Sequence, residues 1–185
     1  MRIRNIMVTW ILLSLILGGG AAFSADVAKI GVINFQRVLE VSSAGKASQA
    51  EISEQGKKME SDLKQKQNDL QELQKKLERE RLVMSKEMRD EKERDFRIRV
   101  NDFKALEKKY KQELAGLNKK LVKRMQEDVF DLVEELGRKE GYLLIVEKLE
   151  GGVIYSPKTN DITDKLIQLY NERFAQKAAK PPGQR

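Results

Sequence analysis

Between residues 86 and 99 the chain sets Lys86, Arg89, Lys92, Arg94, Arg97 and Arg99 among Glu87, Asp90, Glu91, Glu93 and Asp95. Groups at this density could do two kinds of chemistry. The carboxylates could act as acid–base pairs, or the cations could hold phosphates and acidic polypeptide. The spacing gives the first no support, because the acids recur along helix faces beside Lys and Arg, where they form ion pairs. The cations could serve as an electrostatic handle for a client or a lipid phosphate. The plainer reading is a solvated, salt-bridged turn, and both readings stay open.

Other chemistries are excluded by residue type. The chain has no histidine and no cysteine. It therefore lacks the commonest general base and zinc ligand, and has neither thiol nucleophiles nor disulfides. The triple glycine at Gly18, Gly19 and Gly20 belongs to the leader, and no phosphate-binding glycine loop follows it. The sequence therefore implies neither an enzyme nor a cofactor.

The first 25 residues read as a signal peptide. Arg2 and Arg4 precede an apolar run from Ile6 to Leu17, which is short against the ~20 residues that span hydrocarbon. Ala22-Phe23-Ser24 supplies a small-x-small site, which places cleavage near Ser24 or Ala25 and the mature chain in the periplasm. Its loss would take two from the formal charge of +7 and leave a moderately basic protein. Nucleic acid is a poor partner for such a chain, since export removes it from the chromosome and acids dilute its cations.

Charged residues make up 35% of the chain and aromatics 6%, which is too little apolar material for a large core and suits long helices. From Ala44 to Leu136 there is no proline. Leu63, Leu70, Leu77 and Met84 recur every seven residues, as do Phe96, Phe103, Tyr110 and Leu117. A companion row runs Met59, Lys66, Leu73, Glu80 and then Val100, Glu107, Leu114, Leu121. These are the two rows of a heptad seam. The halves mirror each other about residue 90, in a stretch from Arg89 to Asp95 without apolar residues. The pattern predicts an antiparallel helical hairpin over 44–140 that turns at Arg89-Asp90-Glu91-Lys92. Gly56 and Gly116 lie inside its arms, either as tolerated residues or as points of arm flexibility.

Strand-like segments flank the hairpin. Ala28 to Phe35 reads as a buried strand, within a first body segment spanning 26–43. After Gly141, a helix stop, Tyr142 to Glu147 reads as a second strand and Val153-Ile154-Tyr155 as a third. Asp161 is placed to cap a closing helix through about Phe174, in a second body segment spanning 141–175. Residues 176–185 read as a disordered tail. So few short strands make a poor sheet and leave edges open. A homo-oligomer that merges several bodies into one closed β structure would resolve this, with Ile30, Val32, Leu143, Ile145, Val153 and Tyr155 at its core. The fold class expected is α+β, mostly helical: a small β body bearing a long coiled-coil hairpin.

Lys29-Ile30-Gly31-Val32-Ile33-Asn34 with Gln36-Arg37-Val38-Leu39, then Gly141-Tyr142, Leu143-Leu144-Ile145-Val146-Glu147, Val153-Ile154-Tyr155 and Asp161-Ile162-Thr163-Asp164, resemble the terminal motifs of the Skp (OmpH) family of periplasmic chaperones. The resemblance spans the mature chain, and the helical middle matches by character more than by motif. It implies a homotrimer with a central barrel, whose arms enclose unfolded outer-membrane proteins without nucleotide. Lipopolysaccharide or an anionic membrane surface would be a further partner. The rival reading is a periplasmic coiled-coil adaptor of an envelope assembly, which would bind one folded partner at its tip.

Overall fold

Ile30–Ile33 forms strand β1 and Leu144–Glu147 forms β2, paired in parallel from Ile30 opposite Leu144 to Ile33 opposite Glu147. Parallel neighbours need a crossover, and the whole helical middle of the chain supplies it. The computed structural model describes residues 28–179. Residues 1–27, which hold the segment expected to be a signal peptide, and residues 180–185 lie outside the described residues. In chain order β1 is followed by helices α1 (Phe35–Val41), α2 (Ser43–Glu80) and α3 (Lys86–Glu140). Then come β2, a short 3-10 turn at Lys158–Asn160 and helix α4 (Thr163–Ala179).

Local chemistry sets these boundaries. The Asn34 side chain accepts the Arg37 N–H at 3.0 Å and starts α1. Ser42 accepts the Gly45 N–H at 3.0 Å and starts α2 one residue later. A Cβ at Gly45 would stand 1.8 Å from the Leu39 carbonyl oxygen, so the tight α1–α2 junction admits no side chain there. At the far end of α3, Gly141 takes a φ of 68°, the left-handed cap its position anticipates.

The core sits at the base. Met125, Val129, Leu132 and Leu136 recur at helical spacing on α3 and are all buried. They pack with Ile33, Val38, Ala44 and the α4 residues Leu166, Ile167 and Tyr170. The last part of α3 is thus a wall of the body, while the rest projects with α2 as an arm. At ~1.5 Å per residue, the 38 residues of α2 reach about 57 Å. The seam residues from Leu63 to Met84 and from Phe96 to Leu117 are half-buried, as expected of two helices with no third to cover them.

The structure corrects three expectations. The hairpin turns at residues 81–85, and Arg89 to Lys92 lie inside α3. The turn is set by Ser85, whose hydroxyl accepts the Met88 N–H at 3.2 Å and caps α3. The charged stretch is good helix and makes pairs such as Asp95–Arg99 at 2.9 Å. Second, Val153 to Tyr155 form no strand; Ile154 and Tyr155 are 101% and 84% exposed. Among the described residues no further strand pairs with the outer edge of β2. Third, α4 runs on to Ala179, past Phe174 and into the segment expected to be disordered.

Candidate binding surfaces of the arm and the body

Midway along the arm, the Tyr110 hydroxyl on α3 donates to Asp62 Oδ2 on α2 at 2.8 Å. The bond, first, and then burial and the aspartate's charge raise the Tyr110 pKa above its ordinary value. Lys66 stands 3.7 Å from the same carboxylate. This contact fixes the register of the two helices. Gly56 lies six residues before Asp62 and Gly116 six residues after Tyr110, so the two glycines fall at one level of the arm. A Cβ at Gly56 would meet only Leu114 Cδ1, at 3.9 Å, and one at Gly116 would meet open space.

Because only two helices form the arm, the seam opens as clefts. One of them, about 920 Å³, has a floor of Leu70, Leu73, Phe103 and Leu106. Lys66, Lys75, Lys76, Arg79 and Arg99 stand around it, against Asp69, Glu72 and Asp102. A second cleft of about 440 Å³ lies nearer the base, between Met59, Leu63, Phe103, Tyr110 and Leu114. Such walls can take apolar side chains on the floor and polar or acidic groups at the rim.

Of the six cations singled out in the sequence, Arg99 alone lines the large cleft. Lys86 opens α3 beside the apex and Arg89 follows it by one turn, while Lys92, Arg94 and Arg97 run down the exposed flank. They form no single patch. The cleft cations of α2 are not among those six, although Lys66, Lys75, Lys76 and Arg79 lie at helical spacings beside Leu70 and Leu73. Lys66 reads in the sequence only as an interruption of the seam.

The body carries a second surface. Val32 is buried at 4% exposure. Ile145 and Val153 are half-buried, and Ile30, Leu143 and Tyr155 are exposed. Leu144, Leu149 and Ile154 are exposed with them. The six expected core residues of a shared β structure thus divide between the chain's own core and its outer surface. Nearby, Glu140 holds both Lys29 and Lys165. Its pKa is lowered chiefly by the Lys165 hydrogen bond, with Lys29 adding to the effect against a smaller opposing cost of burial. Lys29 also sits 4.0 Å from the Tyr142 ring centre, tying β1 to the end of α3.

Among the described residues, no cluster of carboxylates is placed to hold a metal ion.

Residues 29–170 match the family model described as outer membrane protein (OmpH-like). The fold is similar to a crystal structure described as an OmpH-like outer membrane chaperone from Caulobacter crescentus CB15. The TM-score is 0.74 at 14% identity, over 80% of this chain and 86% of that one. At that identity the likeness is one of fold. Comparison with curated proteins finds no match. The family is periplasmic and non-enzymatic, and it supports a chaperone role. With the family pattern running from β1 to the middle of α4, the chain belongs to the OmpH-like outer membrane protein family.

Proposed function

We propose that this chain is an ATP-independent holding chaperone that sequesters unfolded outer-membrane β-barrel proteins in the periplasm. The observation that carries the reading is the large arm cleft, with four apolar residues on its floor and five cations among its walls. A membrane β-strand alternates apolar and polar residues, so it is prone to aggregate while unfolded. A cleft that accepts both kinds of side chain can hold many such strands weakly without reading their sequence. On this reading the leader is cleaved near Ser24 or Ala25, and contacts to lipopolysaccharide phosphates would fall to the exposed flank cations.

The working form is a homotrimer. Exposed Leu143, Leu144, Leu149, Ile154 and Tyr155 support it, since a joint β structure between copies would cover them. Three arms would then enclose a cavity. Gly56 and Gly116, level with each other, would let both helices of an arm bend at one place and fit clients of different size.

The test is light scattering after a urea-unfolded outer-membrane β-barrel protein is diluted into buffer with and without the purified chain. Suppression near one trimer per client, without nucleotide, supports the proposal. Unchanged scattering across several clients and salt concentrations would overturn it.

A further inference from the structure

Glu147 ends β2 half-buried, and its carboxylate takes three backbone donors. Oε1 accepts the Phe35 N–H at 3.1 Å, at the start of α1. Oε2 accepts the Leu149 and Glu150 N–H groups at 2.6 and 2.5 Å, in the turn that follows the strand. The backbone closes the same turn. The Gly151 N–H donates to the Glu147 carbonyl at 3.0 Å, and the Val153 N–H to the Lys148 carbonyl at 3.0 Å. Both glycines are needed. A Cβ at Gly151 would stand 2.3 Å from the Glu147 carbonyl oxygen, and Gly152 has a φ of 64°. This turn delivers Val153–Tyr155, whose Ile154 and Tyr155 are exposed. Holding a backbone in one conformation costs entropy. The chain's own core does not offset that cost, because among the described residues it packs no side chain from 148–155.

We propose that Glu147 is the positioning residue for the contact between copies of this chain. Its carboxylate locks the turn, so that Ile154 and Tyr155 are held in place for a second copy before that copy arrives. The inference rests on the homotrimer reading and adds to it the residue that orders the joining segment. A loose segment samples many directions, and the apparent dissociation constant rises by the reciprocal of the fraction in the binding geometry. A carboxylate suits the task, since both of its oxygens accept and neither donates. Bonds from N–H groups to an ionised acceptor are also stronger than those to a neutral one. The bond to Phe35 fixes the turn to the body, because the Phe35 ring packs against the core. Without it the turn would close only on itself.

Glu147→Gln keeps the length of the side chain and replaces one acceptor oxygen by a donor NH2. Sedimentation over a dilution series, beside the parent chain, reads the assembly. The variant should need about tenfold more protein to assemble. Gly152→Ala strains the same turn without touching the Phe35 bond and should weaken assembly too. Glu150→Gln removes an exposed charge three residues on and should assemble like the parent. Hydrogen exchange at Val129 and Leu166, measured where every chain is assembled, should be alike in all of them. An oligomeric parent with an equally oligomeric Glu147→Gln chain would overturn the inference and leave the trimer reading standing. Faster exchange at Val129 and Leu166 in that variant would overturn it too, since Glu147 would then serve the fold of each copy. Equal weakening by Glu150→Gln would reduce the effect to charge. A parent that sediments as a monomer at every concentration would remove the trimer reading, and this inference with it.

Discussion

Tyr110 on α3 reaches across the arm to Asp62 on α2, 2.8 Å away, and this pair has its midpoint at residue 86. Ser48 and Met125, in contact nearer the base, have nearly the same midpoint. The two arm helices are therefore offset by close to one heptad from the mirror about residue 90. A slip of one heptad leaves every apolar residue on the seam, so burial alone does not choose between the registers. The Ser85 cap and the Tyr110–Asp62 bond choose between them.

Tyr110→Phe removes the hydroxyl and leaves the ring on the seam. The arm should open more often around that level while the base keeps its protection. Hydrogen exchange of the amides flanking 62 and 110 should quicken a few-fold, with exchange around Val129 and Leu166 unchanged. Equal exchange in both proteins would mean that the bond does not brace the arm.

Gly45 and Gly116 should respond to alanine in opposite senses. At Gly45 the new methyl would meet the Leu39 carbonyl 1.8 Å away, forcing α1 from α2, so Gly45→Ala should lower the melting temperature markedly. At Gly116 nothing lies within 4 Å, and Gly116→Ala should stabilise the helix by about 1 kcal/mol. Chemical denaturation of both variants beside the parent chain settles the signs.

Tyr170 is 2% exposed and its hydroxyl faces Asp128 at 3.4 Å. Burial first, and then the aspartate's charge and hydrogen bond, push its pKa from 10 to about 12. The phenol of the unfolded chain ionises first as pH rises, so stability from keeping this group neutral is full below pH 10 and is lost as pH rises through about 12. Thermal unfolding followed through that window should show a steeper loss in the parent than in Tyr170→Phe. Parallel profiles would contradict the assignment.

If the exposed body residues join copies of the chain, Ile154→Asp with Tyr155→Asp should yield a smaller species by sedimentation at micromolar concentration. The fold of each copy should survive, since both side chains are exposed. A double variant that sediments like the parent would place the oligomer contact elsewhere.

The parts of this fold that the sequence made legible are those fixed by periodicity. Leu63, Leu70, Phe103 and Tyr110 fall on the seam because a 3.5-residue period has one face. The turn is not legible in the same way, because the stretch free of apolar residues, Arg89 to Asp95, has the composition of an exposed apex without being one. The real apex exposes Leu82 and Val83, and its signal was the single capping hydroxyl of Ser85. Val153 to Tyr155 has the residue types of a strand, but residue types alone do not make a segment pair, and the outer edge of β2 takes no further strand among the described residues. The cleft is hidden from the sequence as well. Lys75, Lys76 and Arg79 on α2 meet Arg99 on α3 only after the register is known.

If the arm cleft holds unfolded polypeptide, photo-crosslinking from its wall will capture it. Benzoylphenylalanine in place of Glu72, which lines the cleft, is compared with the same group in place of Lys104, which is exposed outside it. An unfolded outer-membrane β-barrel protein should crosslink strongly to position 72 and weakly to 104 without nucleotide, and its folded form to neither. Equal adducts at both positions, or adducts with the folded barrel alone, would contradict the account.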